Sequence, residues 1–143
     1  MREGLRTLEI ANITNPKQLS PLVMAYIGDA VYELMVRTRM LEHGNAPVQR
    51  LHQMTVSHVC AAAQAKGYQV IEPLLTEEEA AIYRRGRNTH NNIPKNADPA
   101  TYRCATGVEA LFGFLYVKGE MERAQFLFDA IWQDAAGSGQ KES

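Results

Sequence analysis

The sequence predicts an all-α protein folded as a single helical bundle. Three observations carry that expectation. Apolar residues recur at helical spacing in successive segments, polar caps and glycine stops bracket those segments, and Val, Ile and Thr runs of period two are absent. The chain has 143 residues and 45% hydrophobic content, the size of one domain around one core. A single folded domain is expected over residues 1–136, and the tail GSGQKES, residues 137–143, is expected to be disordered.

The elements follow in order. Ser20 and Pro21 supply a hydroxyl N-cap and a proline at the first helical position. The stripe Leu22, Val23, Tyr26, Ile27, Ala30, Val31, Leu34 and Met35 is expected to face the core, and Gly44 ends the helix. A second helix is expected from Pro47 to Lys66, with Val48, Leu51, Met54, Val59 and Ala62 inside and Gly67 as its stop. A short apolar segment covers Val70 to Leu75. Thr76 and Glu79 then form a capping box that opens a third helix, which runs into the polar segment RRGRNTHNNIPKNAD. Asp98 and Pro99 start the next helix, carrying Tyr102, Ala105, Val108, Glu109, Leu111, Phe112, Leu115 and Tyr116 up to Gly119. A last helix covers about Glu120 to Asp134.

The formal net charge is −1, so nucleic-acid binding would have to rest on local basic patches. Cys60 and Cys104 stand far apart and outside any CxxC pair, which argues against structural zinc or a disulfide framework and fits a reducing cytoplasm. The N-terminus lacks the pattern of a signal peptide, and no apolar run is long enough to span a bilayer. His43, His52, His58 and His90 are scattered without ligand spacing, and neither GxSxG nor a P-loop occurs, which removes the corresponding hydrolase and nucleotide chemistries.

Three features bear on chemistry. Asp29 sits inside an apolar helix beside the helix-weakening Gly28, at the edge of the expected stripe. Spacing alone favours an ion pair or a cap for it, with a metal ion as the other option. Glu109 lies among small and apolar residues, with Gly107 and Gly113 able to admit a second helix closely. Its ordinary reading is a pair with Arg or Lys, and the other is a carboxylate facing Asp29 across a cation. Arg84, Arg85, Arg87 and Asn88, with Lys95 beyond, form a basic segment without interleaved aromatics. That suits phosphate contacts on a duplex, although ion pairs to Glu77, Glu78 and Glu79 would explain it equally.

Taken together, the segments resemble a known family. Ala25-Tyr26-Ile27-Gly28-Asp29-Ala30-Val31 resembles the signature helix of ribonuclease III, and Ala105-Thr106-Gly107-Val108-Glu109-Ala110-Leu111-Phe112-Gly113 resembles its second acidic motif. Between them, Arg50-Leu51, Ala61-Ala62-Ala63 and Lys66-Gly67-Tyr68 resemble the separating helix, and the likeness extends over roughly residues 18–133. With AYIGDAVYELMVR and RRGRN, the chain is similar to the Mini branch, in which no double-stranded RNA-binding domain is expected after the nuclease domain. The resemblance implies a homodimeric ribonuclease III catalytic-domain bundle that hydrolyses double-stranded RNA. It implies Mg²⁺ as the metal, with Mn²⁺ able to substitute, held by Asp29 and Glu109 as catalytic and metal-binding residues. It implies Arg84, Arg85, Arg87, Asn88 and Lys95 as RNA contacts and maturation of large-subunit (23S) ribosomal RNA ends as the task, with a ribosomal protein as a further candidate partner.

The chain departs from the family pattern at two acids. Ala25 stands where a Glu is usual four residues before the signature Asp, and Thr106 stands where an Asp is usual three residues before the second Glu. Glu33 reads as a surface partner of Arg37, with an outer role at the metal as the alternative. The rival function is a non-catalytic RNA-binding or ribosome-assembly protein on the same fold, and a weaker one is a generic helical interaction domain.

Overall fold

Ser20 starts the first helix, its hydroxyl accepting from the Val23 N–H at 3.2 Å, with Pro21 in the first turn. The computed structural model describes residues 15–89 and 92–142, with side chains of the last helix described as far as Gly137. The expectations about the N-terminal leader, His90 and the final residue lie outside the described residues.

Helix α1 spans Pro21–Met40, and a short 3-10 turn then leads to Gly44 at φ +65°, a left-handed position that suits glycine. Helices α2 (Val48–Val59) and α3 (Ala61–Ile71) follow, then α4 (Glu77–Arg87), α5 (Pro99–Lys118) and α6 (Met121–Glu142). The Thr76 capping box is closed in both directions, at 2.9 and 3.1 Å. Asp98 caps α5 by accepting from the Thr101 N–H at 3.0 Å, and Gly119 stops it at φ +85°. Only helices and turns occur among the described residues, and no helix is long and apolar enough to cross a membrane.

Helix α5 is the axle of the bundle, packed by α1, α3, α4 and α6. Between Ala105 and Leu115 every residue is buried except Glu109, which is half-buried. Tyr32 of α1 meets Phe112 of α5 and Phe128 of α6 edge-on, at 5.1 and 5.5 Å between ring centres. Glycines set how closely α1 and α5 cross. A Cβ on Gly28 would stand 1.7 Å from the Glu109 carbonyl oxygen, and one on Gly113 would stand 2.0 Å from that of Met24.

The structure corrects four sequence-based expectations. First, the second helix is two helices, broken at Cys60, whose ψ of 160° is extended. Gly67 is no stop but lies inside α3, where its missing side chain admits Ile131 of α6. Second, α1 buries Met24, Ala25, Gly28, Val31, Tyr32, Met35, Val36 and Met40, whereas Leu22, Val23, Tyr26, Ala30 and Leu34 of the expected stripe are exposed. The helix is apolar over most of its circumference, so periodicity alone could not choose between its two apolar faces. Third, Val48 of the expected second-helix interior is 80% exposed, and Ala62 is exposed as well. Fourth, α6 continues through Glu142, where an irregular tail was expected from residue 137.

A buried ion pair ties α4 to α6. Glu79 is 4% exposed, and Arg123 donates to both of its oxygens at 2.8 Å and to the Leu74 carbonyl at 2.7 Å. Burial works against the Glu79 charge, but Arg123 and the Thr76 backbone hold its carboxyl below the usual range. Arg123→Met would leave that carboxylate buried and unpaired, with an expected loss of about 2–4 kcal/mol in urea unfolding at pH 7. The loss should shrink in acid, where Glu79 takes up a proton. An equal loss at both pH values would contradict this account.

Candidate functional site

The α1–α5 crossing decides where the two carboxylates meet. Gly28 lies on the Glu109 backbone, so Asp29, the next residue of α1, is carried to the Glu109 side chain. Asp29 is exposed, further out than the stripe predicted, and Glu109 projects from the one gap in the buried run of α5. Burial pushes the Glu109 carboxyl up to about 8, and the Asp29 charge and a hydrogen bond with Asp29 push it the same way. The pair is therefore a place where a proton or a cation is needed between two acids.

A third polar group stands behind them. Gln64 of α3 is 2% exposed, and its Nε2 donates to Glu109 Oε2 at 3.5 Å. Sequence reasoning passed over Gln64. The available signal was an amide within the Ala-rich start of a helix, but only the α3 direction set at Cys60 shows what it faces.

Ala25 is buried and brings no ligand. The Thr106 hydroxyl turns back to donate to the Tyr102 carbonyl of its own helix at 3.1 Å. Glu33 is held by Arg37, at 2.8 Å from Nε and 2.6 Å from Nη2, which makes it an ion-pair partner. Among the described residues no group of three or more His, Cys, Asp or Glu side chains is placed to hold a metal. The site thus offers carboxylate oxygens from Asp29 and Glu109, with the Gln64 amide behind Glu109. A hard cation such as Mg²⁺ accepts that set because it keeps several of its own waters, and it would relieve the repulsion registered at Glu109.

The basic segment ends against the same helix. Gly86 packs into α5, where a Cβ would fall 2.8 Å from Ala110 Cβ and 3.0 Å from Gly107 Cα, on either side of Glu109 in sequence. The flanking Arg84, Arg85 and Arg87 therefore end α4 beside the helix that carries Glu109. Arg84, Arg85 and Asn88 are exposed, while Arg87 is half-buried over the Tyr83 ring and donates to Asn88 Oδ1 at 3.1 Å. Glu78 is taken by Lys17 and Lys118, and Glu79 by Arg123, so the ion pairs that would have neutralised the arginines do not form among the described residues. Lys95 is exposed in the α4–α5 connection, and no described contact brings it to the arginines. His58 stacks on Trp132 at 4.4 Å, away from the carboxylates.

The chain is similar to known proteins in sequence and in fold. Residues 22–120 match the Ribonuclease III domain family. A Mini-ribonuclease 3 of Thermoanaerobacter sp. (strain X514) is 47% identical over 126 residues, covering 87% of this chain and 89% of that one. A Mini-ribonuclease 3 of Symbiobacterium thermophilum is 46% identical over 119 residues, covering 82% and 92%. In solved structures, a Fusobacterium nucleatum protein superposes with a TM-score of 0.76 at 26% identity, covering 83% of this chain and 96% of that one.

Proposed function

The chain belongs to the ribonuclease III family, and on that premise we propose that this double-stranded RNA endonuclease holds Mg²⁺ through Asp29 and Glu109. We take residues 1–136 as its single nuclease domain, working in the cytoplasm as a homodimer on the ends of the large-subunit (23S) ribosomal RNA precursor. The observation that carries the reading is the half-buried Glu109 carboxyl facing Asp29 at the α1–α5 crossing.

When bound there, a divalent cation supplies charge stabilisation at the scissile phosphate and a more acidic water. The chain's own residues do the rest. Asp29 and Glu109 provide carboxylate oxygens, and Glu109 has to release its proton as the site loads. Arg84, Arg85 and Arg87 offer forked donors to backbone phosphates, with Asn88 and Lys95 adding neutral and charged donors. Shape and 2′-hydroxyl contacts then favour A-form RNA over DNA. The exposed Leu22, Val23, Tyr26 and Leu34 of α1 lie on the helix that carries Asp29. A second copy covering that face would supply one carboxylate pair per RNA strand. Ala25 and Thr106 leave fewer protein ligands than the family pattern, which is the argument for the rival reading of an RNA-binding protein without catalysis.

Incubation of the purified protein with long duplex RNA separates the two. Cleavage is expected with Mg²⁺ and not in EDTA, and Asp29→Asn should abolish it while leaving the far-ultraviolet dichroism intact. Undiminished cutting by that variant would remove Asp29 from the site. Changing Arg84, Arg85 and Arg87 together to Ala should weaken duplex binding at low salt about tenfold or more and flatten the salt slope by about 2–3. An unchanged slope would show that these residues do not contact phosphate.

A further inference from the structure

We infer that Gln64 is a positioning residue whose side-chain amide holds the Glu109 carboxylate turned towards Asp29. The inference rests on the proposed metal site and adds to it a residue outside both acidic motifs.

Gln64 is 2% exposed, and a buried amide is costly unless it is hydrogen-bonded. The partner it meets is Glu109, at 3.5 Å from Nε2 to Oε2. That distance is at the long end for such a bond, and a fully charged carboxylate draws a donor closer than a protonated one.

The residue type fits the task. A Lys or Arg at this place would hold Glu109 firmly but repel a cation, and a third carboxylate would add to the repulsion within the pair. A neutral amide orients without changing the charge.

The fold also aims this residue deliberately. Cys60, extended at ψ 160°, separates α3 from α2 and gives it a direction of its own. One turn beyond Gln64, Gly67 fits against Ile131, where a Cβ would be only 2.9 Å from Cγ2. Helix α3 is thereby seated between α5 and α6, and its rotation is fixed with residue 64 facing α5.

The test is Gln64→Met, which keeps the length and bulk of the side chain and removes the amide donor. Mg²⁺ and Mn²⁺ binding is measured by isothermal titration without RNA, beside wild type and Asp29→Asn, and kcat and KM for duplex RNA are measured at saturating metal. Metal affinity is expected to fall about 10- to 100-fold, the range for removing a group that orients a ligand. KM for RNA should stay near wild type while kcat drops. Gln64→Asn, which keeps an amide but withdraws it by one methylene, is the second variant should Met not fold, and it is expected to weaken metal binding in the same direction. Wild-type affinity in a folded variant, with binding lost in Asp29→Asn, overturns the role of Gln64 and leaves the metal site standing. Wild-type protein that binds no metal, or binds it as well as Asp29→Asn does, overturns both.

Discussion

Gly28→Ala is expected to be among the most damaging single-methyl changes in this protein. Alanine is the better helix former by about 1 kcal/mol, so a helix considered alone would gain. In the bundle the added Cβ would stand 1.7 Å from the Glu109 carbonyl oxygen and 2.8 Å from the Gly113 amide nitrogen. Ordinary contact begins near 3.4 Å. Both obstacles are backbone of a buried helix, so no side chain can swing aside, and α1 must lift from α5 as a body. Overpacking a core whose side chains can shift costs about 1–3 kcal/mol. A helix–helix crossing with no slack should exceed that, a large share of the roughly 5–15 kcal/mol that holds a domain of this size. The site would fail with the packing, because lifting α1 carries Asp29 away from Glu109. Gly137→Ala is the control, since nothing lies within 4 Å of its Cβ. In urea unfolding Gly28→Ala should lose more than about 3 kcal/mol, and Gly137→Ala should lose nothing. A wild-type midpoint for Gly28→Ala would refute the close crossing.

The glycine argument also shows what the sequence could and could not disclose. Caps and stops were legible because they are local chemistry: Ser20, Thr76 with Glu79, Asp98, Gly44 and Gly119 each act within a few residues of themselves. The close approach at Gly113 was legible because a small residue on a buried helix has few other uses. The core face of α1 was not, because Tyr26 and Tyr32 are equally apolar in the sequence and only tertiary packing makes one 81% exposed and the other 2%. The break at Cys60 was hidden for a related reason. No Gly or Pro marks it, and the run of weak helix formers from Thr55 to Cys60 does not by itself set a break. Gln64 was lost with it, since its role depends on the direction of α3. Asp29 and Glu109 had ordinary ion-pair readings on spacing alone. Resemblance paired them, and the crossing of α1 over α5 gives the pairing a physical cause.

Glu109→Gln is expected to move stability and activity in opposite directions. The folded protein holds the Glu109 proton up to about 8, whereas the ordinary value is 4.5, with burial as the main cause and Asp29 as the second. Between those pH values the unfolded chain binds fewer protons than the folded one, so metal-free stability is fullest below about 4.5 and falls as pH rises towards 8. The size of the fall is roughly 3–5 kcal/mol. Glutamine is neutral at every pH, has the same shape, and can donate to Asp29 as the protonated acid does. In EDTA the variant should therefore match wild type near pH 5 and be the more stable protein near pH 8.5. Mg²⁺ should reverse the order for wild type by occupying the place of the proton, and its binding at pH 7 should release close to one proton per site, read as a dependence of titration heat on buffer ionisation enthalpy. The variant should show neither effect, and its cleavage of duplex RNA should fall about 10³-fold or more, the equivalent of several kcal/mol of charge stabilisation. If metal-free wild type were equally stable at pH 5 and pH 8.5, Glu109 would not be the strained acid described here. A stabilised but fully active Gln variant would place the catalytic metal elsewhere. The combination of gained stability and lost activity in one isosteric change is the signature of an acid kept at this crossing for the cation it binds.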